Sequence, residues 1–185
     1  MARPQPPIPV KLFVAAIFAD ESLLPELRDI LIEHFGDIDY TSPVYPFRFG
    51  AYYAEEMGEP LYRIFYSFRQ LIDPAELREV KLTTNEIEDR LAIEGRRRVN
   101  LDRGYIDFGK LVLASMKFNN QKVYLGKGVW ADINLLYEKG HFRPLEWTFP
   151  DFCEQTYEKT LLHIRAKYKA NLRTIQKADN GHLSG

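Results

Sequence analysis

From Lys11 to Ala19 the chain reads Lys-Leu-Phe-Val-Ala-Ala-Ile-Phe-Ala, an apolar run with no polar residue after its first position. A strand with one wet face alternates apolar and polar residues, and this segment does not. Its length and continuity suit a strand covered on both faces and central in a sheet. The run is far too short to span a bilayer as a helix. Asp20 and Glu21 follow it where a signal peptide would place small residues, and no strongly positive region precedes it, so it is read as structure and not as a leader. Four prolines between Met1 and Pro9 make residues 1–10 a flexible, extended arm.

The later segments set the fold class. Ser22 offers a cap for a helix whose Leu24, Leu27, Leu31 and Phe35 recur at helical spacing up to Gly36. Residues 38–68 are rich in Tyr, Phe and Val; Pro43 and Pro46 push 38–47 towards a sheet edge, and Ala51–Glu56 with Leu61–Phe68 reads as a hairpin about Met57-Gly58-Glu59-Pro60. Asp73-Pro74-Ala75-Glu76 is a capping box opening a helix that runs towards Gly95, and a second box at Thr83 and Glu86 leaves open whether this stretch is one helix or two. Arg96–Asp102 reads as extended chain entering a turn at Gly104, Ile106–Met116 as a helix, and Lys122–Leu125, Gly128–Tyr137 and His141–Trp147 as a three-stranded meander. Tyr157, Leu161, Ile164, Tyr168, Leu172 and Ile175 mark a long last helix, followed by a flexible tail over 177–185. Strand, helix, several strands, helix, strands, helix is an α+β order. The expectation is a single domain over 11–176, with a mixed or mainly antiparallel sheet backed by three to four helices.

Composition narrows the function classes. With 45% hydrophobic and 28% charged residues the 185-residue chain is ordinary globular material. Its 25 Lys and Arg against 26 Asp and Glu leave a formal charge of −1, which argues against nucleic acid as a partner. The lone Cys153 cannot form an internal disulfide, which fits a reducing cytoplasm, and the absence of any membrane segment fits the same place. No spacing of His and Cys reads as a metal-ligand set. Leu125-Gly126-Lys127-Gly128 contains a Gly-Lys pair, but Val129 stands where a phosphate-binding loop needs a hydroxyl, so a turn between strands is the better reading. No nucleophile elbow or zinc-protease pair is present either, and whether the chain is an enzyme is left open.

The densest polar cluster runs from Arg96 through Arg97, Arg98, Asn100, Asp102 and Arg103 to Tyr105. In an extended strand Arg96, Arg98 and Asn100 would share one face, so that guanidinium forks converge on a phosphate or carboxylate. Lys127 is a further candidate cation. Asn85 and Glu86 would mark a helix break used for binding, while Glu56 and Asp132 are candidate acids. A solvated edge strand paired with Glu86, Glu88 and Glu94 is the plainer alternative.

Three segments carry a likeness: Tyr52-Tyr53-Ala54-Glu55-Glu56-Met57-Gly58, Arg96-Arg97-Arg98-Val99-Asn100-Leu101-Asp102-Arg103-Gly104-Tyr105, and Val123-Tyr124-Leu125-Gly126-Lys127-Gly128-Val129-Trp130-Ala131. With them the chain resembles the prokaryotic domain-of-unknown-function family 4416 over nearly its whole length. Members of that family are sometimes labelled GTP-binding, a label that implies a loop this chain lacks. The family carries Pro after the Asp of its Asn-Leu-Asp segment, whereas this chain has Arg103, so the likeness implies no rigid turn there.

Two functions are expected from different classes. One is a site for a nucleotide or other small phosphorylated anion built on Arg96, Arg98, Asn100, Asp102, Tyr105 and Lys127, with magnesium on Asp102 or Asp132 if the chemistry is phosphoryl or nucleotidyl transfer. The other is a non-catalytic protein-interaction module presenting Tyr52, Tyr53, Trp130 and Trp147. Oligomeric state is not legible.

Overall fold

A computed structural model describes residues 2–182, with side chains up to residue 177. In chain order the elements are β1 (Val10–Phe18), α1 (Leu24–Phe35), β2 (Ile38–Thr41), β3 (Tyr45–Pro46), α2 (Ala51–Met57), β4 (Tyr62–Ile72), α3 (Leu77–Leu91), β5 (Val99–Ile106), β6 (Lys110–Ser115), β7 (Val123–Gly126), β8 (Val129–Glu138), β9 (His141–Pro144), α4 (Pro150–Cys153) and α5 (Glu158–His182). Short 3₁₀ turns precede α1 and α3. α5 runs to His182, through the first six residues of the flexible tail expected over 177–185, and residues 183–185 lie outside the described residues.

The nine strands form one sheet in the order β2-β4-β1-β5-β6-β8-β7, with β3 on β4 and β9 on β8, and each of these pairings is antiparallel. β1 is central as its apolar run requires, and every one of its residues is buried. Leu12, Val14, Ala16 and Phe18 meet Leu27 and Leu31 of α1 and Val80, Ile87 and Leu91 of α3. Phe13 and Ala15 face the other way, into a core closed by Phe152 of α4 and by Tyr157, Leu161 and Ile164 at the start of α5. The sheet is therefore a middle layer between α1 and α3 on one side and the C-terminal helices on the other. Lys11 is wholly buried on the latter side, where its ammonium donates to Asp39 at 2.6 Å and Asn171 of α5 at 2.7 Å.

Several expectations hold in detail. Asp73 accepts from the Ala75 amide while Glu76 returns to the Asp73 amide, closing the capping box before α3. β2 and β3 lie on the outer side of β4, where the prolines direct them. Residues 126–128 turn the chain from β7 into β8, with Lys127 at φ 52° and Gly128 at φ 75°.

Others are corrected. Ala51–Met57 is a helix and not a hairpin arm: Gly50 and Gly58, at φ 78° and 87°, bracket it, and Tyr53, Ala54 and Met57 pack on Ile17, Phe47 and Leu61. The open choice between one helix and two is decided for one: the Thr84 hydroxyl donates back to the Lys81 carbonyl and α3 continues past Thr83. Ile106–Met116 holds no helix. Asp107 accepts from the amides of Gly109 and Lys110, which reverses the chain between β5 and β6. Leu111 and Leu113 then face one core and Val112 and Ala114 another, a period of two that the run of apolar residues concealed.

Candidate functional site

β5 and β6 part company half-way. Their pairing covers Gly104 to Ile106 against Leu113 to Leu111, and the first half of β5 has β1 on one side and no strand on the other. Gly104 stands at the fork in strand conformation, not in the expected turn. A Cβ there would collide with the Val112 carbonyl oxygen, so only glycine lets the strands close. Beyond the fork the free edge of β5 is satisfied by side chains. The Leu101 amide donates to Glu88 Oε1 at 2.7 Å, and the Leu101 carbonyl accepts from the Arg103 guanidinium.

The space opened by the fork is a cleft of about 420 Å³. Because the sheet has an edge here, residues from both of its faces reach the same hollow: Asn100 and Asp102 from the side of α4, Arg103 from the side of α3. Lys81, Asn85 and Glu88 of α3 form one wall, Ser115 to Lys117 and Lys122 a second, and Tyr52 and Tyr53 of α2 a third.

One half of the cleft is a closed ion-pair chain. Arg97 Nη1 donates to Asn100 Oδ1 at 2.9 Å, and its guanidinium reaches Glu56 at 3.4 Å and Glu88 at 4.0 Å. Asn100 Nδ2 donates to Asp102 Oδ1 at 3.2 Å. Asp102 Oδ2 in turn accepts from Arg63 of β4 at 2.6 Å, and Arg63 pairs with Asp151 of α4 at 2.5 Å. Arg63 is buried among Phe47, Phe65, Phe152 and Tyr157, with ring centroids 4.8–6.0 Å from its guanidinium carbon. Burial opposes its charge, but Asp102 and Asp151 more than offset that and raise its pKa. Burial lifts the Glu88 carboxyl to about 7, against the opposing pull of the Leu101 amide and Arg97. Burial, with the Asp102 carboxylate nearby, also raises the Tyr53 phenol, which therefore stays protonated.

The other half holds two buried cations without a carboxylate partner. Arg103 is 3% exposed and Lys81 9%, and neither has a carboxylate within 4 Å among the described residues. Both aim at the same acceptor, Asn85 Oδ1, Lys81 from 2.6 Å and Arg103 from 3.0 Å. Arg103 Nε has no partner. Burial lowers the Arg103 pKa to about 9, which still leaves it charged at neutral pH. The ammonium of Lys117 stands 5.5 Å over the Tyr52 ring, and Lys122 donates to Ser115 at 3.0 Å beside a buried Asp132 at 3.6 Å.

Of the residues singled out from sequence, Asn100, Asp102 and Asn85 line this cleft. Glu56 touches it through Arg97, and Asp132 through Lys122. The rest lie apart. Arg96 is exposed in the turn before β5, because the strand begins only at Val99. Arg98 pairs outward with Asp20 at 3.1 Å, so the residue that joins Asn100 is Arg97. Tyr105 packs with Leu77, Val112 and Val129 on the opposite face from Asp102. Lys127 sits in the β7–β8 turn, 3.3 Å from Glu79. Glu86 is exposed on α3, one helical step away from the inward-facing Asn85. Among the described residues no three His, Cys, Asp or Glu lie close enough to hold a metal ion. No helix among them is long and apolar enough to cross a membrane.

Residues 8–168 match the family model described as Domain of unknown function (DUF4416). The chain belongs to that family. No curated protein and no solved structure matches it. Two of the three segments that suggested the DUF4416 likeness, 52–58 and 96–105, meet at the cleft through Glu56, Tyr52, Tyr53 and Arg97, although residues 59–95 lie between them in sequence. Sequence reading missed Arg63 and Lys81, named Glu88 only as a partner in the plainer alternative, and saw Arg97 and Arg103 in the polar cluster without placing them in the site. The usable signal was a single charge in an otherwise apolar strand for Arg63, in Arg-Ile-Phe-Tyr-Ser-Phe, and the i, i+4, i+7 spacing of Lys81, Asn85 and Glu88 along one face of α3.

Proposed function

We propose that the cleft between β5, β6 and α3 binds a small phosphorylated ligand, a nucleotide among the candidates. The observation that carries this reading is the pair of buried cations, Arg103 and Lys81, which share one amide oxygen and lack any carboxylate. A buried charge without a counter-ion is costly, and an incoming phosphate would supply the missing anion along with acceptors for the guanidinium fork. Lys117 at the mouth adds to the positive field, and the Tyr52 and Tyr53 rings offer a surface on which a base could stack. Arg103 stands where the family likeness would place Pro, so this concentration of charge is argued for this chain and not for its relatives.

The test is a thermal-shift series with inorganic phosphate and nucleoside mono-, di- and triphosphates, with and without magnesium. A ligand at a hundredfold over its dissociation constant stabilises by about 2.7 kcal/mol, or roughly 5–10 °C here. Arg103→Met and Lys81→Met each remove a buried charge and should fold, yet lose the shift. A shift that survives both substitutions places the anion elsewhere.

A second reading, a protein-interaction module, has a different observation behind it. Phe118, Val123 and Tyr124 are 66%, 63% and 56% exposed, and the rings of Phe118 and Tyr124 pack on Trp130. Val123 and Tyr124 lie on β7, an edge strand, where contiguous exposed apolar surface favours a partner. Trp147, the other expected anchor, is 41% exposed and its indole donates to the Ile133 carbonyl at 2.8 Å. A flat ligand screen together with concentration-dependent association abolished by Tyr124→Lys would favour it.

A further inference from the structure

From Lys159 to Lys177 the outward side of α5 carries charge of one sign. Between Glu158 and Lys177 six Lys and Arg stand against one carboxylate, Glu158, which is itself engaged by His141. That stretch is formally +5 in a chain of −1, so the remainder is −6. The global balance that argues against nucleic acid is thus an average over two regions of opposite sign. Tyr157, Leu161, Ile164, Tyr168 and Leu172 turn inward, and Lys159, Lys169, Arg173 and Lys177 are exposed.

Arg165, Lys169, Arg173 and Lys177 recur every fourth residue, a row that rises about 6 Å per step. Arg165 is occupied: its guanidinium donates to the Phe108 carbonyl at 2.8 Å and lies 3.4 Å over the Tyr137 ring. The other three have no carboxylate within 4 Å among the described residues. Like charges four apart oppose helix formation, and a merely solvated face would interleave Glu with Lys.

We propose that this face of α5 binds the phosphodiester backbone of a nucleic acid, with Lys169, Arg173 and Lys177 meeting successive phosphates. An even line of cations matches a polymer that presents anions at an even interval. Insertion into an anionic membrane fits less well, because the apolar side of α5 is packed on the sheet from Tyr157 to Leu172 and up to residue 177 only Ile175, 41% exposed, is a large apolar side chain left for lipid. The surface is separate from the cleft at the β5–β6 fork, and Arg103→Met should leave it unaffected.

The experiment is fluorescence anisotropy of the full chain with labelled single-stranded RNA and duplex DNA of about 20 units at about 50 mM salt, repeated across a salt series. Lys169→Glu with Arg173→Glu is compared with Arg28→Glu with Lys127→Glu, which changes the net charge equally on exposed sites elsewhere. The α5 pair should weaken binding about tenfold or more and lower the salt slope by about two, while the control pair stays within about twofold. The RNA and DNA arms say which polymer is preferred. Equal losses in both pairs, or binding to phosphatidylserine vesicles but to neither oligonucleotide, would overturn the proposal. If the Glu pair melts early, Lys169→Gln with Arg173→Gln makes the same comparison, and unchanged affinity there overturns it equally.

Discussion

Glu88 is a carboxylate used as a piece of backbone. It accepts the Leu101 amide where a neighbouring strand would have done so, and it does this from a buried position that lifts its carboxyl to about 7 from an ordinary 4.5. Between those two values the folded chain holds a proton that the unfolded chain has released. Stability therefore falls as pH rises from about 4.5 to about 7, and Glu88 adds no further slope above that. Glu88→Gln keeps an acceptor for Leu101 and removes the titration, so its melting temperature should be much flatter over that window than that of the parent. An unchanged slope would assign the dependence to other groups, of which Asp132 and Asp151 are also raised by burial. Little of this was legible in the sequence. A Glu on an amphipathic helix reads as solvent-facing, and only the retreat of β6 turns that helix position into an inside one.

At the scale of elements, those with one clear period were legible and those without were not. The first strand, the capping box before α3 and the long last helix arise directly from apolar spacing and cap chemistry. α2 was hidden because Tyr-Tyr favours strands on propensity alone, while its helical state depends on three side chains that pack against Ile17, Phe47 and Leu61, distant in sequence. β6 was hidden because both of its faces are apolar, so the period of two left no polar mark. The cleft depends on the β5–β6 fork, which in turn depends on the close approach at Gly104. Gly104→Ala should destabilise by about 3 kcal/mol or more, seen as a lower urea midpoint, since the new methyl meets backbone that cannot step aside. It should also weaken any ligand held in the cleft. A neutral substitution would mean that the strands can separate further without loss.

For the molecule as a whole, two buried cations join the sheet to the helices that close its far side. Lys11 in β1 reaches Asn171 in α5, and Arg63 in β4 reaches Asp151 in α4, so the centre of the sheet is tied by charge to the C-terminal helices. Arg63→Ala strands two carboxylates, Asp102 and Asp151, in a space lined by aromatic rings, and should cost about 3–5 kcal/mol in chemical denaturation. Arg63→Met, which keeps the volume but not the charge, should cost a similar amount. Double replacement with Asp151→Asn should recover part of the loss, because one stranded charge is then gone. The forked sheet has one more consequence, for the timescale on which the amide protons of β5 trade with solvent. Alternate residues of that strand are guarded by a full neighbouring strand, but Leu101 is guarded by one side chain that loses its own proton near neutrality. Its deuterium uptake should thus track the local swing of Glu88 and not the global unfolding of the sheet, which makes a single backbone amide a reporter for whether the cleft is open or occupied.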